Sequence, residues 1–311
     1  MKNIATRQAY GEALREFGAD PKIIVLDADL SKSTKTDLFR KAYPERFFGC
    51  GIAEANMIGV AAGLASCGKT VFVSSFAMFA ACRPFEQIRN SVCYPCLNVK
   101  IGATHAGISV GQDGATHQSI EDIGIMRTLP GMMILNPVDA VETRLAVSAA
   151  IDHDGPVYLR LGRESVPVIN DAESYVFQPG RGVELAPGDD VTIVGTGGML
   201  FRALEARRIL EGENIRCRVV NIHTLKPIDE EIILRAARET RGIVTAEEHT
   251  VIGGLGSAVS EVVVKSCPVP MEFIGMPDCF GVSGKPEELF AYFGMTAQDI
   301  ANAARRLAKR A

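Results

Sequence analysis

No stretch of this sequence stays apolar for the roughly 20 residues that a bilayer-spanning helix needs. The run over 71–82 is interrupted by Ser74 and Ser75, which excludes a transmembrane segment. One-sided charge is missing as well. The formal net charge is −4 on a chain that is 23% charged and 47% hydrophobic, so it has neither the charge excess of a disordered segment nor a basic patch for nucleic acid. No apolar leader is expected: Met1-Lys2-Asn3-Ile4-Ala5-Thr6-Arg7 carries charge where a signal peptide places its apolar stretch, and nothing like a cleavage site follows. A cytoplasmic protein is expected. The eight cysteines are scattered, which fits reduced thiols in a reducing compartment. Only Cys93-Tyr94-Pro95-Cys96 is close-spaced, and without a second such pair it is poor support for zinc. It reads as two ordinary cysteines entering an apolar strand, with a redox dithiol as the alternative.

What is present is length and rhythm. At 311 residues and 33.4 kDa, the chain has room for about two domains of roughly 100–200 residues each. Strand-like and helix-like segments alternate over 22–26, 54–66, 70–74, 83–92, 98–102, 120–129, 132–135 and 138–150, a repeated βαβ pattern. The continuous apolar character of 191–194 and 242–246 suits parallel strands covered on both faces. The expected fold is α/β: two three-layer α/β/α domains with mostly parallel sheets. Turn formers crowd 166–190, including Pro167, Asn170, Asp171, Pro179, Gly180, Pro187 and Gly188, so the boundary is expected near 180, giving domains 1–180 and 181–311. The glycine-rich turn Gly195-Thr196-Gly197-Gly198 lacks the third glycine and the acidic residue of a dinucleotide site. It reads as a close helix–sheet turn, and Gly253-Gly254-Leu255-Gly256 as a loop into a helix.

Three stretches could carry chemistry. In the first, Gly51-Ile52-Ala53-Glu54-Ala55-Asn56-Met57, Glu54 is the only acid of an apolar helix. It is either a carboxylate favouring a helix N-terminus or one held in an apolar interface, where it could share a proton with a ligand. Ala55, Gly59 and Gly63 follow at helical spacing, so one face is made of small residues that another backbone can approach, within the fold or across a subunit boundary. The second stretch places Phe76 and Phe79 on one helical face, as core or as a flat wall on which a heteroaromatic ring stacks. The third, 102–118, gathers His105, Asp113, His117 and several glycines behind an expected strand, at the strand end where open α/β sheets bind ligands. Hydroxyl recognition or proton transfer by neutral imidazole fits this loop better than a metal, for which no third ligand stands nearby.

At these stretches the sequence resembles the transketolase family of thiamine-diphosphate enzymes, specifically its pyrimidine-binding and C-terminal domains. The resemblance rests on Ala5-Thr6-Arg7, Ala28-Asp29-Leu30-Ser31-Lys32-Ser33, Gly51-Ile52-Ala53-Glu54, Ser75-Phe76-Ala77-Met78-Phe79, Ala103-Thr104-His105, Gly111-Gln112-Asp113-Gly114-Ala115-Thr116-His117-Gln118 and Leu161-Gly162-Arg163. It implies transfer of a two-carbon ketol unit from a ketose phosphate to an aldose phosphate. Glu54 would hydrogen-bond a ring nitrogen of the cofactor's aminopyrimidine, with Phe76 and Phe79 as its aromatic wall and Asp29 as a further contact. His105 and His117 would bind sugar hydroxyls and assist proton transfers, Asp113 would recognise a donor hydroxyl, and Arg7, Ser33 and Arg163 would hold the acceptor phosphate. No Gly-Asp-Gly followed by a metal-binding Asn occurs, so the resemblance implies one subunit of a split transketolase. A separate N-terminal, diphosphate-binding subunit would then hold most of the Mg2+ site, in an α2β2 heterotetramer with cofactor sites between chains. Cys82 and Ala106-Gly107 depart from the family pattern and put the donor pocket in question. Deoxyxylulose-phosphate synthases and the beta subunits of 2-oxo-acid dehydrogenases share the architecture. His105 favours transketolase over the first and the loop from Asp113 to His117 disfavours the second. A non-catalytic relative would not need Glu54, both loop histidines and Arg163 together.

Overall fold

The computed structural model describes residues 2–309. Met1, Arg310 and Ala311, at the outer limits of the two expected domains, lie outside the described residues. The strands Ile23–Asp27, Thr70–Phe76 and Val99–Thr104 are buried at every position, as parallel strands covered on both faces must be. They are central to a seven-stranded sheet ordered Thr224–Lys226, Met133–Leu135, Val157–Arg160, Val99–Thr104, Thr70–Phe76, Ile23–Asp27, Phe47–Gly49. All neighbours are parallel except Thr224–Lys226, which comes from the second half of the chain and runs antiparallel to Met133–Leu135. The second sheet is ordered Met271–Met276, Ile243–Thr250, Val191–Gly195, Cys217–Asn221, Val183–Ala186, with only the last antiparallel. The α/β architecture expected from the sequence is the one observed.

Period-two alternation sorts the second sheet's side chains between two cores. Ile193, Val219 and Val244 pack with Leu200 and Ala203 of helix Met199–Glu211 and Ile300 and Ala304 of helix Ala297–Ala308. Val194, Val220 and Ile243 turn the other way, toward Ile233 of helix Glu230–Glu239 and Val259 of helix Leu255–Ser266. This second core continues without interruption into the first half, taking in Leu26, Met57, Ala61, Val73 and Ile101. The opposite face of the first sheet packs Tyr10, Val25, Phe72 and Leu159 against Ala146 and Val147 of helix Ala140–Asp152. That helix begins at Asp139, whose carboxylate accepts the Glu142 backbone N–H at 2.9 Å, a cap worth about 1 kcal/mol.

Some local expectations give way. Phe76 does not share a helical face with Phe79: Phe76 ends its strand, and Phe79 sits in the π-helical turn Met78–Cys82. A second π-helical run, Ile88–Cys93, follows the short helix Phe85–Gln87, so the expected helix over 83–92 is broken. Pro84, which has no N–H to give, stands at the junction. Cys93 and Cys96 close this helical stretch instead of entering a strand, Cys96 adopting φ +54° ahead of the strand that starts at Val99. The turn-rich connection also contributes strands at its two ends. Ser165–Pro167 pairs with Asn3–Ala5, and Val183–Ala186 forms an edge of the second sheet. The small-residue face is not packed within this chain: Ala55, Gly59 and Gly63 are exposed, and a Cβ placed on either glycine would meet nothing within 4 Å.

Candidate active site

Strand Ile23–Asp27 has Phe47–Gly49 on one side and Thr70–Phe76 on the other. The chain therefore reverses its direction of winding there, where the carboxyl ends of open α/β sheets form a crevice. Asp27 organises the first wall. Its buried carboxylate accepts the Leu30 N–H at 2.6 Å and the hydroxyls of Thr34 and Thr36 at 2.7 and 2.9 Å. Burial pushes this carboxyl up, and the three donors oppose the rise. The result is a pinned loop in which Asp29 is exposed in a left-handed conformation, φ +65°, and Ser33 begins to turn back toward Arg7. Asp27 carried no functional signal in the sequence; a lone acid ending an apolar strand, followed by two threonines, was the only cue.

Arg7, at the start of helix Thr6–Phe17, draws three distant segments together. Its Nη1 donates to the Ser33 carbonyl at 3.0 Å and contacts His105 Nε2 at 3.3 Å, while its Nε donates to the Arg163 carbonyl at 3.2 Å. A guanidinium has no acceptor, so His105 Nε2 must accept. The imidazole proton is then on Nδ1, which donates to Thr104 Oγ1 at 2.9 Å. Burial first, then the charges of Arg7, Arg163 and His117, push the His105 pKa down to about 3, and the ring is neutral. His105 also holds φ +58°, a conformation that costs a non-glycine residue about 1–3 kcal/mol and persists only where surroundings enforce it. Arg163 donates to the Val110 carbonyl and stands 3.6 Å from Asp113, both side chains being partly exposed.

The rings form the second wall. Phe76 stacks on His105 with centroids 3.8 Å apart and on Phe79 at 6.1 Å, and His117 meets the Phe79 ring edge-on at 5.2 Å. Arg83 Cζ lies 4.2 Å from the Phe79 centroid. From there its Nη1 donates to Glu54 Oε1 at 2.9 Å. Glu54 is the first residue of helix Glu54–Ser66 and is 4% exposed, against 49% for Arg83. Glu54 Oε2 accepts no hydrogen bond among the described residues. Arg7, Ser33, His105, Asp113 and Arg163 are thus linked, as are Phe76, Phe79, His105, His117 and Glu54. Among the described residues Asp29 makes no such contact.

The loop carrying His105, Asp113 and His117 is fastened from the second half of the chain. Gly107 at φ +81° leaves room for Glu248, whose Oε1 would lie 2.3 Å from a Cβ there and accepts the Ser109 N–H at 2.6 Å. Gln118 Nε2 donates to the Val282 carbonyl, and Ser283 Oγ to the Gln112 carbonyl. Beneath the loop, fully buried Arg160 makes a two-pronged pair with Asp122 at 2.8 and 3.1 Å and reaches the Glu248 carbonyl at 2.9 Å. His249 Nδ1 donates to the Thr250 carbonyl and its Nε2 accepts the Gly124 N–H. A cavity of about 620 Å³ opens nearby between the two halves, lined by Thr6, Ala106, Gly162, Gly198 and Glu248. It lies behind the segments that carry Arg7, His105 and Arg163 and includes none of those three side chains. The convergence of charged and aromatic groups, more than cavity size, marks this crevice as the candidate site.

Residues 2–168 match the family model for the transketolase pyrimidine binding domain, and residues 180–300 match that for the transketolase C-terminal domain. The chain is 48% identical over 298 residues to a putative transketolase C-terminal section of Methanocaldococcus jannaschii, covering 95% of this chain and 93% of that one. It is 45% identical to the 6-deoxy-6-sulfo-D-fructose transketolase subunit SqwH of a Clostridium species, covering 98% and 94% of the two chains. Among solved structures it resembles a split gene transketolase described as an inactive beta4 tetramer, with a TM-score of 0.92, 55% identity and 98% of each chain covered.

Proposed function

The chain belongs to the transketolase family, and from that premise we propose that it is the pyrimidine-binding and C-terminal subunit of a split, thiamine-diphosphate-dependent transketolase. It would move a two-carbon ketol unit from a ketose phosphate to an aldose phosphate. The observation that carries this reading is the convergence on one crevice of a buried carboxylate, Glu54, stacked phenylalanines and a basic arm of Arg7 and Arg163. These residues fit one half of the cofactor. A flat ring can lie on Phe79, and Glu54 Oε2 is available to a ring nitrogen. Among the described residues no three His, Cys, Asp or Glu side chains converge as a metal site. As the family resemblance implies, the partner subunit would hold most of the diphosphate and its Mg2+. When bound, the cofactor supplies the electron sink for carbon–carbon cleavage.

The chain's own residues bind, orient and move protons. Arg7, Ser33 and Arg163 receive the acceptor phosphate, for which the planar charged forks of the two arginines are suited. His105, weakly basic and already directed by Thr104 and Arg7, serves as a hydrogen-bond partner for a sugar hydroxyl. His117, on the open side of the Phe79 ring, is the better placed of the two to exchange protons. Asp113, 3.6 Å from Arg163, would recognise a donor hydroxyl, and Asp29, exposed on the loop that Asp27 pins, would make a further cofactor contact. The domain division falls near 180. The exposed face of Ala55, Gly59 and Gly63 packs against another subunit in an α2β2 assembly, and the protein works in the cytoplasm. Among the described residues no helix is long and apolar enough to cross a membrane.

The test is calorimetric titration of thiamine diphosphate and magnesium into this chain alone and into its co-expressed complex with a diphosphate-domain subunit, followed by a ketol-transfer assay. Binding and turnover in the complex only are the expected result. Turnover by the chain alone, or none by the folded complex, overturns the reading.

A further inference from the structure

The Arg83 side chain has no counterpart among the roles assigned above, yet it occupies the centre of the cofactor-facing wall. Its guanidinium is planar and charged, lies 4.2 Å from the centroid of Phe79 and donates at 2.9 Å to Glu54 Oε1. A flat nitrogen-rich group stacked on that ring and bonded to that carboxylate is what the proposed function asks of the cofactor's pyrimidine. We propose that Arg83 is a positioning residue that stands in for the pyrimidine: it pairs with Glu54 and orients it against Phe79 in the free site and swings away when the cofactor enters. This inference rests on the assignment of Glu54 to the pyrimidine.

The physical case has three parts. A carboxylate that is 4% exposed needs a charged or hydrogen-bonding partner to offset its lost hydration, and Arg83 is the only cation paired with Glu54 among the described residues. Arg83 is itself half exposed at 49%, so its path into water is already open and its guanidinium regains hydration on leaving. Finally, both groups cannot lie on the same face of Phe79 at once. An unprotonated ring nitrogen is an acceptor, and ionised Glu54 has no proton to give. Replacing Arg83 by that nitrogen therefore requires Glu54 to take up a proton from solvent as the guanidinium leaves.

The experiment is calorimetric titration of thiamine diphosphate with magnesium into the two-subunit complex, near neutral pH, in buffers of different ionisation enthalpy, so that affinity and proton uptake are read together. For the unaltered complex, net proton uptake is expected. In Arg83→Met, where no guanidinium compensates the buried carboxylate, uptake should fall toward zero. Affinity should rise about tenfold if the Arg83–Glu54 pair closes the site about nine-tenths of the time. Arg83→Lys keeps the charge without the planar stack and should restore much of the uptake. If Arg83→Met binds more weakly with uptake unchanged, Arg83 belongs to the loaded site and the stand-in role is wrong. Unchanged affinity and uptake also overturn it. Glu54→Gln separates the premise from the inference: unaltered cofactor affinity and activity in that variant remove Glu54 from the pyrimidine and with it the functional reading, whatever Arg83 does.

Discussion

Replacing Gly59 and Gly63 together by alanine should move the stability of the single chain and the stability of its assembly in opposite directions. Both glycines lie within helix Glu54–Ser66, and a Cβ on either would meet nothing within 4 Å in this chain. Each Gly→Ala change in an exposed helix interior gains about 0.8–1.0 kcal/mol, so the pair should stabilise the chain by roughly 2 kcal/mol. That is a sizeable fraction of a net folding free energy of about 5–15 kcal/mol. At concentrations where sedimentation shows one chain, the urea midpoint should rise by about 0.5 M or more, given a slope of up to about 3 kcal/mol per molar. If the face is buried against a second subunit, the same methyl groups intrude on a closely approached backbone. Overpacking of this kind costs about 1–3 kcal/mol, a weakening of roughly 5- to 150-fold in association, measurable by sedimentation of the complex. Unchanged association would show that the glycine face is not an interface. A destabilised single chain would show that the helix packs differently from the arrangement described here.

Three further outcomes follow from the site and its supports. Asp122→Ala strands the buried Arg160 guanidinium, which then keeps only the Ser119 and Glu248 carbonyls, and should cost about 3–5 kcal/mol in urea unfolding; a loss below about 1 kcal/mol would contradict the buried-pair argument. His249 is held neutral because burial pushes its pKa down to about 4 from 6.5. The unfolded chain therefore takes up the proton first, and stability is lost as pH falls from about 6.5 to 4; His249→Gln should shallow that acid limb in a melting-temperature profile. Arg163→Ala should raise the acceptor KM with little change in kcat if it binds ground and transition states alike, and identical kinetics for phosphorylated acceptors would exclude it from the phosphate arm.

Much of the fold was legible because parallel strands advertise themselves as short apolar runs, as 191–194 and 242–246 do, and because 54–66 is a mostly apolar segment of helix length. The Phe76–Phe79 spacing misled because three residues apart means one face only if the backbone is α-helical, and here a strand end meets a π-helical turn. The side chains of the candidate site were individually visible as types at a strand's carboxyl end, and the resemblance gave them roles. Their pairings were not visible. Arg7 meets residues 26, 98 and 156 positions away, and no local periodicity encodes such closure. Arg83 carried no signal of its own in the sequence, because nothing local places Phe79 and Glu54 beside it. The supports, Asp27 and the Asp122–Arg160 pair, were missed because a buried polar residue cannot be told from an exposed one by its type.

The strand Thr224–Lys226 completes a sheet to which it does not belong in sequence, and the core beneath it runs through both halves. Severing the chain at its turn-rich middle would therefore harm the two fragments unequally. The leading fragment would expose the edge of Met133–Leu135, a row of unpaired backbone groups inviting other chains to add to it. The trailing one would keep its own five strands but carry an orphaned ribbon. Insertions and fusions are better tolerated on the exposed loops than at the apparent seam, and the two halves should melt as one.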